Sequence, residues 1–147
     1  MILPDVNLLL YAHDSRGALF IPASRWWLRC LQSGEPIGLA WVVILGFLRI
    51  STNPRIYATP QTPAAALATV AEWISLPHFH LLNPSADHFK ILNELVGELG
   101  TAGNLTTDAH LATLALEHGY ILHTTDADFA RFPKLNWVNP LREEKIF

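Results

Sequence analysis

Four aspartates stand at positions where acids do chemistry in alternating α/β chains. Asp5 follows the first apolar run, Met1–Leu3, and Asp108 falls in the first turn of an apolar helix expected to follow Thr106 and Thr107. Asp126 and Asp128 lie in the loop Thr124–Asp128, just past a short strand expected over Tyr120–His123. Carboxylates buried near one another are costly unless a cation neutralises them. Acids gathered at strand ends, with one cysteine and no well-spaced histidine pair, suit a hard cation such as Mg²⁺ or Mn²⁺. Each acid also has a plainer reading. Asp108 can serve the helix dipole. Asp126 and Asp128 can form turns, and Asp5 can make an Asx turn before Asn7.

The elements that must position these acids alternate along the chain. Strands are expected at Met1–Leu3, Ile37–Ala40, His78–Leu82, Tyr120–His123 and Trp137–Val138. Pro4 is awkward beside the first of them, because it has no N–H to give to a ladder. Helices are expected at Asn7–Ala12, Pro22–Gln32, Trp41–Ser51, Ala64–Ile74 and Ala86–Leu99, the last capped by Ser85, and then across the Asp108 segment, which His118-Gly119 ends. Short strands alternating with helices give a parallel sheet with helices on both faces. The expected fold is therefore a three-layer α/β/α domain with a short, mostly parallel sheet, built as a single domain over residues 1–147 and closed by a mixed-charge tail over Leu141–Phe147.

Composition narrows the function. Half of the residues are hydrophobic and 16% are charged, which argues against disorder. A formal charge of −3 argues against gripping nucleic acid by bulk electrostatics, but leaves room for a site where bound cations supply positive charge locally. Cys30 is the single cysteine and reads as a small core hydrophobe. The start MILPDVN has no basic region, and the apolar run Ile37–Phe47 is short of the ~20 residues of a membrane span. The expected location is the cytoplasm. Arg25, Arg29, Arg49 and Arg55 are scattered and read as solvated, and Trp26 and Trp27 read as core or interface aromatics. The histidines show no chelating pattern.

Four stretches resemble the PIN-domain family, and the whole chain resembles a VapC-type toxin of bacterial toxin–antitoxin pairs. They are PDVNLLLYA at 4–12, LRISTNPR at 48–55, TDAHLATLALEHG at 107–119 and TTDADFARFP at 124–133. The resemblance implies a divalent-metal-dependent endoribonuclease using Mg²⁺ or Mn²⁺. It puts Asp5, Asp108 and Asp126 at the acidic metal positions and Asp128 as a further acid. Asn7 and Thr124 fall on supporting polar positions. It also implies an RNA substrate, a small VapB-type antitoxin and a homodimer, for which the Trp26–Trp27 helix and the Trp41–Arg49 helix are the candidate faces. Arg16 and Arg55 are candidate RNA contacts. The chain departs from the pattern at Gly46, where many members carry a glutamate; no acid occurs in Trp41–Ile50. That departure supports the alternative, a degenerate PIN domain that acts mainly by binding antitoxin or RNA.

Other phosphoryl-transfer folds fit less well. An aspartyl-phosphate phosphotransferase needs a second acid two residues after the first, where this chain has Asn7. A receiver domain needs an N-terminal acid pair and a late lysine, and the loop after Tyr120–His123 has none.

Overall fold

The computed structural model describes residues 1–142, so the tail expected over Leu141–Phe147 lies mostly outside the described residues. Five strands, β1 (Ile2–Pro4), β2 (Ile37–Ala40), β3 (Phe79–Leu82), β4 (Ile121–His123) and β5 (Trp137–Val138), form one parallel sheet in the order β3-β2-β1-β4-β5. Among the described residues six α-helices connect them: α1 (Val6–His13), α2 (Phe20–Ser33), α3 (Trp41–Ser51), α4 (Pro63–Ser75), α5 (His88–Leu99) and α6 (Thr106–His118). The arrangement is the expected three-layer α/β/α sandwich.

Side-chain alternation divides the sheet. Ile37, Phe79 and His123 face α2 and α4, where Trp27 meets Phe79 and Trp73 edge-on and Trp26 lies over His123. Trp26 and Trp27 are each 4% exposed, so of the two readings, core and interface, they are core: α2 turns its aromatic stripe onto the sheet, and what it leaves for a partner is Ile21 and Leu28 on its outer side. Trp41 and Leu45 on α3 do remain exposed. Cys30 is buried, and burial pushes its thiol up to about 12. On the other face, a Cβ at Gly38 would fall 2.6 Å from Leu82 Cδ1 and 3.0 Å from Tyr120 Cε1, so the close approach there depends on glycine.

Three local expectations shift for identifiable reasons. Pro4 is the last residue of β1, and the ladder resumes at once when the Asp5 N–H donates to the His123 carbonyl at 2.9 Å. α5 begins at His88 with Asp87 at its N-cap, and Ser85 stands just before it, its hydroxyl accepting from the Asp87 N–H at 3.2 Å and donating to Glu117 Oε2 at 2.6 Å. α6 takes no side-chain cap from Thr106 or Thr107; a 3-10 turn, Gly103–Leu105, leads straight into it.

The strand order reverses at β1. Its neighbour β2 is reached through α1 and α2, and its other neighbour β4 arrives from the far end of the chain. The crevice beyond the carboxyl ends of strands at such a reversal is where open α/β sheets bind ligands. Asp5 leaves β1 there and Thr124–Asp126 leaves β4.

Candidate metal centre

Asp5 is 8% exposed and caps α1, with Oδ1 accepting from the Val6 N–H at 2.7 Å. Its other oxygen, Oδ2, accepts from the Thr124 hydroxyl at 2.7 Å. Thr124 is fully buried, and its Oγ1 also accepts from the Asp126 N–H at 3.0 Å. One hydroxyl thus locks the Asp5 carboxylate and the turn that carries Asp126. The turn continues as a 3-10 helix, Ala127–Arg131, in which Asp126 Oδ1 accepts from the Asp128 N–H at 2.9 Å. This places Asp126 half-buried at the rim and leaves Asp128 exposed.

Asp108 enters from the first turn of α6 and is half-buried. Burial first, and then the charges of Asp5, Asp126 and Asp128, raise its carboxyl to about 6. The Asp5 carboxyl is also raised, mainly by burial, with Asp126 adding to the effect against the hydrogen bonds from Thr124 and Val6. Carboxylates from β1, α6 and the β4 loop therefore feel one another electrostatically. Among the described residues, no group of three or more His, Cys, Asp or Glu side chains is gathered closely enough to enclose a cation. The donor chemistry nevertheless fits a hard divalent cation, because Asp5, Asp108 and Asp126 offer carboxylate oxygens whose mutual repulsion favours a positive charge between them.

Asn7 sits half-buried in the first turn of α1. The two candidate RNA-contacting arginines are exposed and are not joined to the acids by any described hydrogen bond or ion pair. Arg16 spends its guanidinium on the Thr59 hydroxyl at 3.0 Å, and the Arg55 N–H donates to Asn53 Oδ1.

Gly46 is buried in α3, and a Cβ there would lie 3.3 Å from Val6 Cγ2. Position 46 therefore faces the residue next to Asp5, and a longer side chain would start beside the acidic edge. Gly46→Glu is expected to tighten Mn²⁺ binding about tenfold, or ~1.4 kcal/mol. The tight contact with Val6 offsets part of the ~1 kcal/mol that replacing a helix-interior glycine would return. Calorimetric titration of Mn²⁺ into both proteins checks this; equal affinity with an undisturbed fold would show that the side chain does not reach the site.

Two networks were not legible in the sequence. His88 bonds Glu117 Oε1 through Nδ1 at 2.7 Å and His110 Nδ1 through Nε2 at 2.9 Å, tying α5 to α6 just beyond Asp108. Burial opposes the Glu117 charge, yet the bonds from Ser85 and His88 hold its carboxyl below the ordinary range. The Trp26 indole N–H donates to His123 Nδ1 at 3.2 Å, and burial lowers His123 to about 4. Both networks join residues far apart in the chain, so no local spacing announces them.

A profile described as the PIN domain matches residues 2–135. The chain belongs to the PIN-domain family. Among curated relatives, Ribonuclease VapC33 of Mycobacterium tuberculosis is 43% identical over 143 residues, covering 97% of this chain and 100% of that protein. Ribonuclease VapC37 of the same organism is 37% identical over 140 residues, covering 95% and 97%. Among solved structures, VapBC2 from Rickettsia felis bound to a promoter DNA fragment contains a chain that superposes with a TM-score of 0.68 at 19% identity, covering 94% of this chain and 98% of that one. The PIN fold of this chain is thus close to that of VapC-type ribonuclease toxins.

Proposed function

We propose that this PIN domain is a divalent-cation-dependent endoribonuclease, the toxin of a type II toxin–antitoxin pair. In this reading it is restrained by a small VapB-type antitoxin and works as a cytoplasmic homodimer, with the exposed Trp41–Leu45 face of α3 as a candidate contact. The observation that carries the reading is the Asp5–Thr124–Asp126 chain at the β1/β4 reversal, with Asp108 raised by the charges of its neighbours. Similarity to two ribonucleases, 43% and 37% identical over 143 and 140 residues, supports it.

Asp5, Asp108 and Asp126 would hold Mg²⁺ or Mn²⁺. When bound, the cation offsets charge gathering on the phosphoryl oxygens and makes water a better nucleophile. The protein's part is to hold its acids ready. Thr124 fixes the Asp5 rotamer, so the carboxylate is aimed before substrate arrives. Asp128, exposed beside Asp126, would orient the attacking water and take its proton as the phosphodiester bond breaks, with solvent returning a proton to the leaving oxygen. Asp108 must shed its proton before it can ligate, so cation affinity falls as pH drops through about 6.

The same shift sets a test that does not need RNA. The folded value of Asp108 lies above the ~3.9 of an unfolded aspartate. The stability it contributes is therefore fully present below about pH 4 and is lost as pH rises through about 6. The raised Asp5 carboxyl works in the same direction. Cation-free wild type should lose Tm relative to Asp108→Asn between about pH 4 and 6, and Mn²⁺ should restore it more at neutral pH than at pH 5. A flat Tm difference with no Mn²⁺ response would remove the cation site.

A further inference from the structure

We infer that the groove beside Thr125 binds one nucleotide of the RNA substrate, with Arg25 and Arg142 taking the phosphates that flank it. This rests on the ribonuclease reading above. The groove has a volume of about 400 Å³, within the roughly 300–1,000 Å³ typical of small-molecule sites. Ile21, Arg25, Thr125, Asn139, Leu141 and Arg142 line it. It opens off the acidic turn itself: Thr125 lies between Thr124, which holds Asp5, and Asp126. Asn139 follows Val138, whose carbonyl accepts the Thr124 N–H at 3.0 Å.

The lining suits a nucleotide on three counts. Ile21 and Arg25 are four residues apart on α2, so an exposed apolar side chain and an exposed cation share one face. The Arg142 backbone N–H donates to the Asn139 carbonyl at 3.3 Å, which turns Arg142 back to the same groove. Neither guanidinium has a described partner, whereas Arg16 is held by Thr59. Asn139 Oδ1 is occupied by the Leu141 N–H at 3.0 Å, which leaves its amide hydrogens for an acceptor on a base or sugar.

Charge gives the groove its purpose. The chain carries −3 overall and its acids crowd the neighbouring rim, so a polyanion needs cations close by to approach. Guanidinium groups match phosphate oxygens in pairs, and an apolar floor accepts the flat face of a base. A strand whose scissile phosphate reaches Asp126 would run its neighbouring nucleotide across Thr125. An acidic peptide could use the same cations, but only a substrate strand has to pass the acidic turn.

The test uses the full chain and a short fluorescein-labelled RNA of mixed sequence. Anisotropy is read in chelator, where no cleavage occurs, over a series of salt concentrations. The Arg25→Ala, Arg142→Ala double variant should bind at least about tenfold more weakly at low salt. Its slope of log affinity against log salt should fall by about 1.4, the ~0.7 expected for each lost single-strand phosphate contact. In cleavage assays KM should rise about tenfold while kcat changes much less, and Mn²⁺ affinity should stay the same. Lysine at both positions should restore the salt slope but only part of the affinity. Unchanged RNA affinity and slope in the alanine variant would overturn the inference. So would normal RNA handling combined with escape from a co-expressed antitoxin, which would give the groove to a protein partner. If wild type neither binds nor cleaves RNA, the ribonuclease reading itself falls and the subsite with it.

Discussion

Asp5→Asn should remove RNA cleavage and growth inhibition while leaving a folded protein. The loss should be at least about a hundredfold, the scale seen when one preorganised electrostatic group is taken from an active site. Asparagine keeps the shape, and its Oδ1 can still cap α1 by accepting from Val6. It also removes a carboxylate whose ionisation burial opposes, so the cation-free variant should melt no lower than wild type at neutral pH. Side-by-side melting curves and cleavage assays check both halves. Activity within a few-fold of wild type would exclude Asp5 from the chemistry, and collapse of the fold would make its role structural.

Thr124→Val is the second large effect. The two side chains have nearly the same shape, so the change deletes one hydroxyl from a fully buried position. That deletion strips Asp5 Oδ2 of its donor and the Asp126 N–H of its acceptor. Leaving buried polar groups unpaired costs about 1–3 kcal/mol, and loss of a bond that orients a metal ligand costs about 10–100-fold in affinity or activity. Thr124→Val should therefore be both less stable and slower, with weaker Mn²⁺ binding, and Thr124→Ser should recover most of each. If Thr124→Val loses stability but keeps its Mn²⁺ affinity, Thr124 serves the fold and not the site.

Much of this was readable from the residues because it is local. The continuous apolar runs gave β2 at Ile37–Ala40 and α3 at Trp41–Ser51, and the alternation of strands and helices gave the layered sheet. Asp5 and Asp126 could be placed at strand ends from the loops that hold them. What the sequence could not contain is order across the sheet. That β1 and β4 are neighbours, and that the chain reverses there, follows from packing of the whole molecule. The Thr124 bridge is a consequence of that adjacency, although the family resemblance alone marks Thr124 as a supporting position. His88 carries no signal of its role in the sequence because its partners, Glu117 and His110, come from another helix. Arg25 and Arg142 meet at one groove for the same reason, while Arg16, nearer to Asp5 in sequence, is directed to Thr59. Trp26 and Trp27 illustrate the opposite limit: aromatic content signals burial, and only the tertiary contacts decide between core and interface.

The most direct measurement is cleavage of bulk RNA by purified wild type and by a variant with Asp5, Asp108 and Asp126 all changed to asparagine, each with Mn²⁺ and with chelator. Contaminating nuclease is excluded by purifying both in parallel. Wild type should cut RNA only with the cation, and the triple variant should not cut it under either condition. Equal cleavage by the two proteins, or cleavage by wild type that chelator leaves untouched, would contradict a cation-dependent site built from these aspartates.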